Sequence, residues 1–199
     1  MKLITLLKSG FLAALCSFGL NAATIDNAGV LSEPIKSKLN EMGAELKETT
    51  GVTLDLITFS NLNAASIDEA IKPFKSNLKP PYVILVLVPK EAGATTGKVD
   101  IYTSNDANSL FDKEAVLSPY PESGSILPIL VSNKGKDIYN AAMLNGYADI
   151  ADRIADSKGV VLKSSIGNSN RNTINIFRYL IYGSIILVIV VFAIRKIKR

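Results

Sequence analysis

Residues 179–194, YLIYGSIILVIVVFAI, run for sixteen positions without a formal charge, and four cations, Arg195, Lys196, Lys198 and Arg199, follow within five. No other feature restricts the chain so sharply, because nothing else in it has the apolar surface to enclose such a run in a soluble core. A bilayer core about 30 Å thick is spanned by roughly 20 mostly apolar helical residues. Extending the run back to Ile174 gives 21 residues, with Arg178 placed to snorkel to the interface. Clustered cations stay on the cytoplasmic side of a membrane. The sequence therefore predicts one C-terminal transmembrane helix over 174–194, a basic cytoplasmic tail over 195–199, and the bulk of the chain on the opposite side.

The other end agrees with export. Residues 1–22 combine Lys2 and Lys8 with an apolar stretch at 11–15 and small residues at Ala22 and Ala23, the pattern of a secretory signal peptide cleaved near Ala22. Leu15 stands where a lipoprotein signal carries a small residue, so acylation of Cys16 is not expected. Residues 23–172 hold 15 Lys and Arg against 18 Asp and Glu, so the net charge of +4 arises at the two ends. The basic balance records export and topology, and no nucleic-acid partner is expected. The chain has no His, and its one Cys lies in the signal. Ser-His-Asp and Cys-His nucleophiles, thiol redox chemistry and His or Cys zinc sites are thereby excluded from the mature chain. Any chemistry must use carboxylates, hydroxyls, lysines or a hard metal.

Between the ends, 23–160 has the length of one domain. Ile25 to Leu31 reads as a turn. Ser32 then caps a helix that has Glu33 and Pro34 in its first turn, apolar residues at Ile35, Leu39, Met42 and Leu46, and a stop at Thr49, Thr50 and Gly51. Residues 52–59, VTLDLITF, alternate as a strand buried mostly on one side. Ser66 and Glu69 form a capping box for a second helix, with Ile67, Ile71, Phe74 and Leu78 on its face and Pro73 bound to kink it or end it early. Residues 82–88, YVILVLV, lack alternation and predict a central strand covered on both faces. Residues 98–103, KVDIYT, alternate again and predict an antiparallel partner near an edge.

Further on, the spacing predicts a short helix over 112–117, a short apolar element over 126–131 interrupted by Pro128, and a long helix over 137–156. That helix carries Ile138, Ala141, Leu144, Ala148, Ala151 and Ile154 on one side, with Ala142 and Gly146 allowing close packing on the sheet. Residues 161–173 form a linker, and its polar part, 163–172, would span about 18 Å root-mean-square as a flexible tether. Two other patterns carry no weight. Gly93 to Lys98 is a residue short of a phosphate loop, has Val99 in place of Ser or Thr and leads into a strand. Ser76 and Lys79 match Ser-x-x-Lys without its companion motifs.

Asp26, Ala28, Gly29, Leu31 and Ser32, then a helix, a strand led by Gly51, a second helix and the apolar strand at Val83 ahead of a C-terminal membrane helix, make the region from Thr24 to about Ser157 resemble the TPM domain family. The resemblance implies a three-layer α/β/α sandwich with a small mixed sheet, held at a thylakoid or bacterial membrane. It also implies links to photosystem repair, weak acid phosphatase activity and calcium binding. The chain departs from the family at the acidic turn after the third strand. Where Gly-x-Gly-x-Glu is usual, it has Ser104, Asn105, Asp106, Ala107 and Asn108, while Asp112 matches a family aspartate beyond that turn. Asp26, Asp106 and Asp112 are the candidate metal ligands, for calcium, which takes six to eight oxygens. The reading is an interaction module facing the periplasm from a bacterial inner membrane, with another membrane protein or complex as partner and no committed catalytic residues. The alternative is a calcium-dependent phosphatase.

Overall fold

The computed structural model describes residues 24–62, 65–90, 97–132, 137–166, 182–184 and 186–187. The expected signal peptide, the basic tail and most of the expected span lie outside them. Within the span, Tyr182, Gly183, Ser184, Ile186 and Leu187 are helical and exposed. Among the described residues no helix is long and apolar enough to cross a membrane.

The domain is a mixed α/β fold around a four-stranded sheet. Its strands are β1 (Thr24–Asp26), β2 (Thr53–Thr58), β3 (Tyr82–Val88) and β4 (Lys98–Thr103), in that spatial order. β1, β2 and β3 are parallel, and β4 closes the far edge antiparallel to β3, as the alternation predicts. β1 corrects the reading of 25–31 as a turn throughout. With three residues it is a strand only through pairing Thr24, Ile25 and Asp26 with Leu56, Ile57 and Thr58.

Helix α1 (Glu33–Thr50) has Pro34 in its first turn and Gly51 at φ 77°, the left-handed geometry that releases the chain into β2. Its Ser32 cap works differently from the expectation. The Ser32 side chain makes no cap bond, and the Ser32 N–H donates to Asn140 Oδ1 at 2.9 Å. The Ser66 and Glu69 box does cap α2 (Ile67–Lys75), which ends two residues after Pro73. Asp112 caps α3 (Lys113–Val116) by accepting from the Ala115 N–H at 3.1 Å. Residues 126–131 are largely helical, within α4 (Leu127–Ser132), and α5 runs over Ile138–Ser157.

Residue parity along each strand divides the core in two. On one face Leu54, Leu56, Val83, Leu85 and Ile101 pack with Leu39, Met42 and Leu46 of α1 and with Met143, Tyr147, Ile150 and Ile154 of α5. On the other, Ile57, Ile84 and Val86 pack with Ile71 and Phe74 of α2. β2 is therefore buried at all six positions, Thr53 and Asp55 included, which corrects the one-sided expectation. α1 and α2 cover opposite faces although both crossovers advance the same way across parallel strands. The two connections are thus of opposite hand, and one departs from the right-handed rule.

α5 keeps part of its predicted face, with Ala148, Ala151 and Ile154 buried, and corrects the rest. Ala141 is exposed and Ile138 and Leu144 are half-buried, while Met143, Tyr147 and Ile150 carry the packing. Gly146 makes its close approach to α4's neighbour Ile126, not to the sheet, since a Cβ there would lie 2.2 Å from Ile126 Cγ1. The start of the expected tether is fastened down. Leu162 and Ser164 are buried, and Glu45 of α1 accepts from the N–H groups of Lys163 and Ser164, each at 2.7 Å, and from the Ser164 hydroxyl.

Candidate functional site

In parallel α/β sheets, ligand sites gather beyond the carboxyl ends of the strands, and Asp26 stands at such an end. Its Oδ1 accepts from Thr58 Oγ1 at 2.6 Å and from the Val30 N–H at 3.2 Å, and its Oδ2 accepts from the Leu31 N–H at 2.9 Å. Thr58 Oγ1 in turn accepts from the Ala28 N–H at 3.0 Å. The loop can close this tightly because Gly29 takes φ 66° and donates back to the Asp26 carbonyl. One carboxylate and one hydroxyl thus hold the whole connection from β1 to α1.

Burial alone would raise the Asp26 carboxyl. The Thr58 hydroxyl, the Leu31 and Val30 N–H groups and the charge of Lys36 outweigh it and hold the group below the ordinary carboxylate value. Around this loop the starts of α1 and α5 meet through Ser32 and Asn140, whose amide also donates to Asp137, and Tyr139 Oη accepts from the Lys90 N–H at 3.0 Å beyond β3. Thr58 and Asn140 are the residues that sequence reasoning missed. Neither belongs to a motif, and each gains its role by packing against a residue 32 or 108 positions away.

The structure does not bring the three candidate ligands together. Asp26 pairs with Thr58, which stands opposite Leu87 of β3, whereas the chain leaves β4 where the Ser104 N–H donates to the Tyr82 carbonyl. Leu87 and Tyr82 are five residues apart on β3, about 17 Å at 3.3 Å per residue. Asp106 is exposed in the short 3-10 turn Asn105–Ala107 just past Ser104, at the end of the sheet away from Asp26. Asp112 is exposed and occupied as the cap of α3. Among the described residues no three Asp, Glu, Cys or His side chains form a group that could hold a metal ion.

A second polar group lies on the α2 face of β4. Lys75 sits 4.5 Å and Lys113 5.5 Å from the centre of the Tyr102 ring, while Lys75 pairs with Asp68 at 3.5 Å and Lys113 with Asp100 at 2.7 Å. Burial, reinforced by Asp100 and Asp68, pushes the Tyr102 phenol up to about 12. Tyr102 therefore stays neutral as a cation-binding platform, and the two lysines are matched by two carboxylates.

No protein-family model and no curated protein matches the chain. Among solved structures it is similar to the N-terminal domain of a protein from P. gingivalis, determined by NMR in solution, with a TM-score of 0.53 and 16% identity over 67% of this chain and 82% of that one. What the two share is the fold.

The geometry around Asp26 gives a pH prediction. Asp26 and Glu45 both have carboxyls held below their ordinary values in the fold; at Glu45 burial is outweighed by the donors of Ser164 and Lys163. Their stabilisation is present above the unfolded carboxylate range and is lost as pH falls through the lowered folded values, below about pH 4. Urea midpoints should drop over that window. Asp26→Ala, which leaves two N–H groups and a hydroxyl without their acceptor, should cost about 1–3 kcal/mol at neutral pH and flatten part of the acid limb. A midpoint unchanged by Asp26→Ala would show that the loop is held by other contacts.

Proposed function

We propose that the chain is a membrane-anchored, TPM-like interaction module. In this reading a three-layer α/β/α domain faces the periplasm from a bacterial inner membrane, a single helix over 174–194 spans the bilayer, and residues 195–199 lie in the cytoplasm. Its task is to assist the assembly, stability or repair of a membrane protein complex. The observation that carries the reading is how the chain leaves the domain. Leu162 is buried, Lys163 and Ser164 are gripped by Glu45, and Ser165 donates to Asp152 of α5 at 2.9 Å, nine residues ahead of Ile174. A domain fastened this firmly to its own tether is built to act at a set position. The use of Asp26 as the keystone of its loop supports the same reading, since its oxygens are engaged by the protein itself.

The alternative is a calcium-dependent phosphatase acting on a periplasmic phosphoester. Turnover separates the two. The purified full chain, assayed in detergent on a generic aryl phosphate with and without calcium, should show no turnover above that of Asp106→Asn/Asp112→Asn. Calcium-dependent hydrolysis that disappears in the double variant would establish the enzyme instead.

A further inference from the structure

The fastened segment after α5 presents a second face. Gly159 turns the chain at φ 69°, the Val160 N–H closes the helix on the Ala155 carbonyl, and residues 161–164 alternate in burial before Ser165 turns to Asp152. Leu162 and Ser164 point into the domain, while Val161 is 87% exposed and Ile166 43% exposed, with Lys158 and Lys163 exposed beside them. Single exposed apolar side chains are ordinary on protein surfaces. Here, however, two lie on one nine-residue stretch that Glu45 and Asp152 hold in place; Asp156, two residues before Lys158, and Glu48, one turn after Glu45, are exposed acids of the same region.

The length of the remaining chain says what lies opposite this face. From Ile166 to Ile174, where the expected span begins, the covalent chain reaches at most about 28 Å. In the anchored reading this end of the domain, where the chain leaves for the span, is taken as the end facing the bilayer. Small apolar side chains enter the boundary between headgroups and acyl chains, while flanking lysines extend toward lipid phosphates. We propose that the segment 158–166 rests on the lipid surface, with Val161 and Ile166 inserted and Lys158 and Lys163 among anionic headgroups, and that Glu45 is the clasp that holds it in that pose. The proposal rests on the membrane-anchored reading above.

The chain has no Trp, so Val161→Trp creates a single fluorescent reporter at an exposed position. The full chain carrying it is reconstituted into vesicles of phosphatidylcholine and phosphatidylglycerol, with or without bromine on the acyl chains. Flotation with the vesicles reports the anchor, and Trp emission reports the docked face. The expected result is flotation together with blue-shifted emission that loses most of its intensity to the brominated lipid. Adding Glu45→Ala should leave flotation intact and return the emission to water-like wavelengths without quenching. Flotation with water-like, unquenched emission in the Val161→Trp chain overturns the docking, and blue-shifted emission without quenching overturns lipid in favour of a protein surface. Quenching that survives Glu45→Ala overturns the clasp. A chain that does not float overturns the anchored reading, and this proposal with it.

Discussion

Replacing Tyr147 by Ala lowers stability by about 3–5 kcal/mol, in the range found for removing a large buried aromatic ring. Tyr147 is the largest fully buried side chain of the domain, set in α5 against the face formed by Leu54, Leu56 and Leu85, and its hydroxyl donates to the Leu54 carbonyl at 2.7 Å. The hydroxyl gives the carbonyl of buried Leu54 a partner from the helix packed over that face of the sheet. Burial pushes the phenol well above its ordinary value, so it is protonated and able to donate at neutral pH. Tyr147→Phe keeps the ring but leaves the buried Leu54 carbonyl without this donor, for about 1–3 kcal/mol. Native domains are stable by about 5–15 kcal/mol, so the Ala variant stands near the threshold of folding while the Phe variant does not. Equal losses in urea unfolding would place the stabilisation in the hydrogen bond and not in the packed ring.

The second large effect is at Gly146. In an exposed helix Ala is favoured over Gly by about 1 kcal/mol, which by itself makes Gly146→Ala stabilising. The new methyl would instead meet Ile126 Cγ1 at 2.2 Å and Cδ1 at 2.5 Å, and Ile126 is fully buried with little room to withdraw. Overpacking of this kind costs about 1–3 kcal/mol, and the clash wins. Ile126→Ala alone opens a cavity at about 2–5 kcal/mol. Because each change relieves the other, the double variant should lose clearly less than the two single losses combined, a coupling that a double-mutant cycle reads directly. Additive losses would mean that α4 and α5 do not approach as closely as Gly146 implies.

These two residues show where local sequence reading succeeds and where it stops. Signals carried within a few residues were legible: the Ser66 and Glu69 capping box, Gly51 closing α1, the unbroken apolar run of β3 and the alternation of β4. Features made by distant partners were not. β1 is too short to have a period and exists through Leu56, Ile57 and Thr58. Thr53 and Asp55 look solvent-facing in sequence but are buried in the fold. The tether looked flexible from 163 onward because its composition is polar, whereas its first residues are held by Glu45, 118 positions earlier.

The three candidate ligands lie apart for a topological reason. Antiparallel β4 returns the chain to the end of the sheet where β3 begins, which carries Asp106 away from the carboxyl ends where Asp26 stands. Asp26 holds its own loop, accepting from Thr58, Val30 and Leu31. The pattern of Asp, Ala, Gly, Leu and Ser over 26–32 encodes a loop closed by a carboxylate, with Thr58 as the partner that sequence proximity does not reveal.

The central claim is that the domain acts by being held beside a membrane partner, and capture in intact cells tests it most directly. A photocrosslinking residue is placed at exposed positions of the domain, once in the full chain and once in the chain lacking 174–199, at matched levels in the same compartment. Tethering to the same membrane as a partner raises local concentration to as much as roughly the millimolar range, so weak contacts become occupied only when the anchor is present. The account predicts a discrete adduct with a membrane protein from the anchored chain and little or none from the chain without its anchor. Equal capture by both, or no adduct from the anchored chain at any exposed position, would contradict it.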